Sequence, residues 1–247
     1  MQGNNTIRLE RRPSVGETVT VEGEALRALL SWKPRISEAY TVIGPDYGLL
    51  RARLVGITQA LGQLLVFEDM GAKASSLEVV LLQALPEKER MELVIQKTTE
   101  LGVSSIVPFK SSKSTSLAER DSKQKKSSRW NDVALKAAKQ CRRESLVEIL
   151  PFSSYAEAIK TAAGSDLKLL LWERPGCETI KEALTGFKDR GVRRVSVMAG
   201  PEGGLSDEEV KAAYGAGFIP VSLGKRILRT ETASIISIGL VRYELGE

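Results

Sequence analysis

The chain has 247 residues, 42% of them hydrophobic and 27% charged, enough apolar material for a sizeable buried core. It contains no histidine, which removes the usual near-neutral acid/base group and the commonest metal ligand, and its two cysteines, Cys141 and Cys177, share no disulfide or metal-ligand spacing. No metal is expected, both thiols are read as free, and the lack of a long apolar run or a basic-then-apolar leader points to a soluble, cytoplasmic protein with no membrane contact.

In chain order, residues 1 to about 72 read as short β segments. Thr18–Val21 alternates, Ala39–Ile43 runs into the Gly44-Pro45-Asp46 turn, and Leu49–Val55 and Gln63–Phe67 follow, a pattern that suits a small β-rich domain. Arg8, Arg11 and Arg12 cluster at its start, and Met70–Ser76 reads as the linker to a second domain over 73–247.

From Leu77 the pattern becomes one of alternating strands and helices. Leu77–Ala84 is a nearly continuous apolar run, as in a parallel strand covered on both faces. Pro86 opens a helix in which Met91, Val94, Ile95, Thr98 and Leu101 recur at helical spacing up to Gly102. Ile106-Val107 is the next strand. A helix over Trp130–Cys141 then leads to Leu146–Leu150, one near Tyr155–Ala163 to Leu167–Trp172, and one near Thr179–Phe187 to Val195–Met198. Ser206 with Glu209 forms a capping box for a helix ending near Gly215, Phe218–Leu223 is the last strand, and Thr232–Glu244 the last helix. Six strands alternating with helices predict an α/β domain with a parallel sheet, whose ligand lies beyond the carboxyl ends of the strands.

Two loops occupy that position, Ala199–Ser206 (AGPEGGLS) and Leu223–Ala233 (LGKRILRTETA). Their glycines let backbone approach a ligand, and Arg226, Arg229 and Glu231 supply charge, so a small-molecule pocket with charged walls is expected where the loops meet. A phosphate loop is disfavoured, because Gly217 to Gly224-Lys225 has the wrong spacing and Arg226 stands where a hydroxyl residue belongs. A dinucleotide fingerprint is missing as well, since Gly215-Ala216-Gly217 follows a helix rather than a strand. Between Lys110 and Arg143 the chain carries eleven basic residues against three acidic ones, a concentration suited either to a nucleic-acid backbone or to a solvated face.

Four runs in register, Met91–Val103 (MELVIQKTTELGV), Ala137–Arg143 (AAKQCRR), Gly200–Ser206 and Leu223–Ala233, resemble the RsmE family of uridine-N3 methyltransferases acting on 16S, small-subunit ribosomal RNA. The resemblance implies a SPOUT-type methyltransferase domain with a C-terminal trefoil knot, a PUA-like N-terminal RNA-binding domain, S-adenosylmethionine as cofactor, and a homodimer acting on 16S ribosomal RNA within the small subunit. The chain departs from the family pattern at Arg142, where glycine is usual, and at Val147, Lys113 and Leu205. Its first domain resembles the family only faintly, in Leu26–Leu30 and Tyr47–Leu54. The alternatives are a SPOUT enzyme acting at another RNA position and a non-catalytic RNA-binding or assembly protein of the same fold.

On that resemblance the cofactor would be lined by Leu171, Trp172 and Glu173 at one strand end. Gly200, Glu202 and Gly203 of the first loop and Leu223, Gly224, Leu228, Thr232 and Ala233 of the second would complete the wall. Arg229, with Arg226 as second choice, would stabilise negative charge developing on the base, and Glu231 would orient the arginine or accept the proton. RNA contacts are assigned to Arg8, Arg11, Lys113, Lys125, Lys126, Arg142 and Arg143. Arg143 at a helix C-terminus is equally explained by the helix dipole, and Glu100 by a pairing with Lys97.

Overall fold

The protein is described from a computed structural model, covering residues 6–86, 90–114, 129–174 and 176–246. It divides into two compact units, one of Met1–Ser75 with Leu135–Leu146 and one of Ser76–Ala134 with Val147–Glu247.

In the first unit, strands β1 (Thr18–Val21), β2 (Ala39–Ile43), β3 (Gly48–Ile57) and β4 (Gly62–Lys73) form one antiparallel sheet in the order β1-β4-β3-β2. Alternation places Leu50, Ala52 and Leu54 of β3 and Leu64 and Val66 of β4 in its core. Two features differ from the sequence expectation. The stretch Gly23–Ser31 is a helix, α1, because Leu26 and Leu29 stand one turn apart and close over that core together with Trp32. The expected linker from Met70 is still strand as far as Lys73, since β3 begins at Gly48 and its pairing with β4 extends to Gly48–Lys73 across register shifts.

In the second unit, α2 (Arg90–Glu100) follows β5 (Glu78–Ala84), and β6 (Ser105–Lys110) precedes α3 (Trp130–Gln140), which from Leu135 onward counts with the first unit. Short strands β7 (Glu148–Ile149) and β8 (Ser153–Ser154) lead to α4 (Tyr155–Thr161), then β9 (Leu167–Leu171), β10 (Glu178–Thr179), α5 (Ile180–Thr185), β11 (Arg194–Ala199), α6 (Asp207–Gly215), β12 (Ile219–Ser222) and α7 (Thr230–Leu245). All pairings are parallel, in the order β10-β12-β9-β11-β5-β6-β7, with β8 also on β6. The sheet is wider than the six expected strands because two-residue segments too short to show a period extend it.

Both sheet faces are covered, which is why β5 reads as a continuous apolar run. Val79 and Leu81 pack with Met91, Val94 and Ile95 of α2, Leu184 of α5 and Ile238 and Val241 of α7, while Val80 and Leu82 pack with Ala158 of α4 and Ala213 of α6. Each fully buried leucine or valine contributes about 1.5–3 kcal/mol, so this double core holds the strand ends that carry the two loops.

Candidate active site

Because β9 lies between β11 and β12, three consecutive strand ends meet at the carboxyl rim of the sheet. A cleft of roughly 320 Å³ opens there. Its walls are Leu171, Trp172 and Glu173 after β9, the loop from Ala199 to Leu205 after β11, and the segment from Val221 to Thr230 after β12, with Ala233 and Arg90 completing them.

Each loop has a local reason for its course. In the first, the Gly204 N–H donates to the Pro201 carbonyl at 2.9 Å, and Gly204 takes φ +69, where a side chain is rarely accommodated. Ser206 then caps α6: its hydroxyl accepts from the Glu209 N–H (3.2 Å) while Glu209 accepts from the Ser206 N–H (2.8 Å). Glu209 also accepts from the Ser112 N–H at 2.7 Å, which ties the loop to the end of β6. In the second loop, Ser222 Oγ accepts from the Gly224 N–H at 3.0 Å, and Gly224 at φ +115 turns the chain back toward α7.

A buried hydroxyl and amide network fastens the two loops together. Thr230 Oγ1 donates to the Gly200 carbonyl (2.6 Å) and accepts from Gln83 Nε2 (3.2 Å), and Ser234 Oγ donates to Gln83 Oε1 (2.6 Å). Gln83 is wholly buried at the end of β5. One side chain therefore sets the distance between the glycine-rich loop and the first turn of α7.

Five charged side chains line the cleft: Arg90, Arg226 and Arg229 against Glu173 and Glu202. Arg90 Nη1 pairs with Glu202 Oε1 at 2.8 Å, and its Nε lies 4.0 Å from Glu231 Oε2. Arg226 and Arg229 are exposed, and among the described residues neither is engaged in an ion pair. Arg229 is also the N-cap residue of α7, in extended conformation with no side-chain cap bond, as expected of a guanidinium that has only donors. Arg174 stacks over the Trp172 ring at 5.2 Å and pairs with Asp207 at 2.7 Å, so Trp172, partly buried against the core of the second unit, also forms part of the wall.

The structure thus brings together Leu171, Trp172, Glu173, Gly200, Glu202, Leu223, Gly224, Leu228, Ala233, Arg226 and Arg229. Three expected residues do not line the cleft. Gly203 turns toward Lys113, where a Cβ on the glycine would stand 3.3 Å from the lysine Cβ. Thr232 and Glu231 lie within the first turn of α7, and Glu231 is nearly buried, with Arg90 rather than Arg229 as its neighbouring cation.

Lys113 lies at the site, reaching the Leu205 carbonyl at 3.4 Å, whereas Arg8, Arg11, Arg142 and Arg143 belong to the first unit. Arg11 pairs there with Glu17, Arg8 stacks over Tyr47 at 5.4 Å, and burial lowers the pKa of Arg143, whose Nη2 donates to Ser145 at 3.3 Å. Lys125 and Lys126 lie outside the described residues. Glu100 pairs with Lys97 at 2.9 Å, as expected. Sequence reasoning missed Arg90 and Thr230. The signal for Thr230 was the hydroxyl next to Arg229 in the second loop, but nothing in the chain pattern marks Arg90, which reaches the cleft only through the placement of α2.

Comparison with known proteins adds an independent line. The model of the RNA methyltransferase domain family matches residues 73–242. The chain is 28% identical over 171 residues to the Ribosomal RNA small subunit methyltransferase E of Bacillus subtilis, covering 68% of this chain and 66% of that protein, just under two thirds of its length. It is 25% identical over 214 residues to the protein of that name from Buchnera aphidicola subsp. Acyrthosiphon pisum, covering 86% and 82%. Among solved structures it is similar to a Ribosomal RNA small subunit methyltransferase E from Neisseria gonorrhoeae bound to S-adenosyl methionine, with 30% identity, a TM-score of 0.67 and 97% of each chain covered. Among the described residues no helix is long and apolar enough to cross a membrane.

Proposed function

Since the chain belongs to the RNA methyltransferase domain family, we propose that it transfers a methyl group from S-adenosylmethionine to N3 of a uridine in 16S ribosomal RNA. The observation that carries this reading is the convergence of both glycine-bearing loops on one cleft whose wall presents Arg226 and Arg229. The cleft suits the cofactor: Leu171, Leu205, Val221 and Leu228 offer apolar surface for a purine, and the strand-end backbone and Glu173 offer polar partners. When bound, S-adenosylmethionine supplies an electrophilic methyl group on a sulfonium.

The protein's own contribution is alignment and charge. Uridine N3 carries a proton at neutral pH, and without histidine the site needs another way to favour its loss. Arg229, first, and Arg226, second, place guanidinium charge where O2 or O4 of the base gains negative charge, which stabilises the deprotonated pyrimidine as an oxyanion hole would. Glu231 holds Arg90 in this reading, and through it Glu202 and the glycine-rich loop. Lys113 and the basic segment beyond it draw in the RNA backbone.

The same reading takes the second unit as a SPOUT-type domain knotted at its C-terminal segment, the first as a PUA-like RNA-holding domain, and the active form as a cytoplasmic homodimer working on the assembled small subunit. Its domain boundary falls near 72/73. Apolar side chains left exposed on α7, Ile236 and Tyr243 at 41% and 80%, support a second copy as their cover. Mass spectrometry of ribosomal RNA nucleosides from cells lacking the protein tests the function: one N3-methyluridine is lost and returns with the wild-type chain but not with Arg229→Ala. An unchanged methylation pattern would reject it.

A further inference from the structure

Arg90 has two carboxyl groups beside it and bonds to only one. Its Nη1 donates to Glu202 Oε1 at 2.8 Å, while Glu231 Oε2 stands 4.0 Å from its Nε, beyond hydrogen-bond reach. That oxygen is buried and, among the described residues, meets no hydrogen-bond donor. Glu202 belongs to the glycine-rich loop and lines the cleft with Arg90, their side chains 29% and 34% exposed, so both can meet a ligand. Glu231 lies outside the lining, in the first turn of α7. The Arg90 guanidinium donates no other hydrogen bond among the described residues, which leaves its Nε and Nη2 hydrogens unused. An orphaned buried oxygen is costly, and an arginine with spare donors next to it is a group able to change partners.

The pair also stands at one end of the cleft. Along the rim the strands run β12-β9-β11-β5, with apolar Val221 in β12 and Leu171 at the end of β9, whereas Glu202 follows β11 and Arg90 belongs to α2, which follows β5. A ligand whose purine takes the apolar end directs its other end toward Arg90 and Glu202. In S-adenosylmethionine that end is an α-amino acid, with an ammonium and a carboxylate on one carbon. Opposite charges held side by side in the wall complement it, because one ion pair is then exchanged for two.

We propose that Arg90 and Glu202 seat the amino-acid end of S-adenosylmethionine, Arg90 taking the carboxylate and Glu202 the ammonium, with Glu231 as the positioning residue that holds Arg90 when Glu202 turns to the ligand. The inference rests on the RNA methyltransferase reading and adds to it the residues that select a zwitterionic donor. It accounts for one arginine being given two acids: the buried one keeps the guanidinium in place, and the half-exposed one is lent to the ligand. Arg226 and Arg229 are less suited to the carboxylate, since both are exposed and unpaired, and fixing either would cost side-chain freedom that Arg90 has already lost.

Calorimetric titration of the full chain with three ligands tests the seat: S-adenosylmethionine, its decarboxylated analogue, which keeps the ammonium, and methylthioadenosine, which lacks the whole amino-acid end. The wild-type chain should bind S-adenosylmethionine about 10- to 100-fold more tightly than the decarboxylated analogue, the range of one charge-assisted hydrogen bond. Arg90→Gln should erase that preference, and Glu231→Gln should narrow it, a selective effect that a general loosening of the cleft would not produce. Glu202→Gln, a change at a half-exposed pair that keeps the fold, should weaken both ligands that carry the ammonium. Methylthioadenosine should bind all four proteins alike. Equal losses for all three ligands in the variants would make the pair a structural bridge and overturn the seat. A wild-type chain that holds S-adenosylmethionine no better than the decarboxylated analogue would overturn it as well, and both results leave methyl transfer standing. Binding of none of the three ligands by the wild-type chain would remove the methyltransferase reading and the seat together.

Discussion

Thr230→Val isolates the network that joins the two loops, because valine keeps the branched shape and removes only the hydroxyl. The substitution abolishes the 2.6 Å bond to the Gly200 carbonyl and the 3.2 Å bond from Gln83 Nε2. Each neutral bond is worth about 0.5–1.5 kcal/mol net, and the stranded Gln83 N–H adds about 1–3 kcal/mol because that side chain has no access to water. Gln83 keeps its 2.9 Å bond to the Ala84 carbonyl, so only one of its two N–H groups is orphaned. The expected loss is about 2–6 kcal/mol, or about 4–24 °C in melting temperature for a unit of this size. Thr230→Ser, which keeps the hydroxyl and drops one methyl, should stay within about 1 kcal/mol of wild type. Urea unfolding followed by tryptophan fluorescence measures the first effect. Calorimetry with S-adenosylmethionine measures the second, a weaker cofactor affinity once the Gly200 carbonyl is released. If the valine variant is as stable as wild type, or the serine variant as damaged as the valine one, the hydroxyl does not join the loops and the argument fails.

Three further outcomes follow from the site and its supports. Arg229→Ala should lower the methylation rate by about 10²–10³ while changing cofactor affinity far less, since the side chain acts on charge that develops only during transfer; equal losses in both would assign it to binding. Arg90→Met should destabilise the protein by about 1–2 kcal/mol through the nearly buried Glu231, whereas Glu202→Gln, at a half-exposed pair, should cost under about 1 kcal/mol; denaturation midpoints compare the two. Asp166 accepts from the Arg193 and Arg194 N–H groups at 2.9 Å each, and those backbone bonds hold its pKa below the ordinary carboxylate value. A lowered folded-state pKa stabilises above the unfolded value near 4 and loses that contribution as pH falls through the folded one, so the stability gap between wild type and Asp166→Asn should narrow on acidification.

How much of this was legible in the chain depended on the range of the interactions involved. β5 and α2 could be read directly because their apolar periods report burial on both faces or on one, and the capping box at Ser206 and Glu209 is a local device that the structure reproduces. The glycine-rich loops could be placed because strand ends carry ligands in any open parallel sheet. α1 escaped because nine residues hold too few turns for a clear period amid β segments, and because its stabilising partner, the sheet of the first unit, is not visible along the chain. Gly203 and Glu231 fall outside the cleft lining for a related reason: which residue of a tight loop faces a cleft depends on single dihedral angles, and which cation meets Glu231 depends on where α2 begins.

The strand order explains why chemistry concentrates at this rim. With β9 placed between β11 and β12, the chain leaving β12 returns past the ends of β9 and β11 before α7 packs over β11 and β5. That return path carries Arg226 and Arg229 past the glycine-rich loop, and the bonds from Thr230 and Ser234 fasten it where it meets Gly200 and Gln83. The cations are therefore held by backbone course and by a buried network, with no carboxylate partner of their own among the described residues. A guanidinium so placed keeps its donors for a ligand, and a substrate that gains negative charge as it reacts gains most from donors that were waiting for it. In the reaction proposed for this chain without histidine, that arrangement would supply by electrostatics what a titrating base supplies elsewhere.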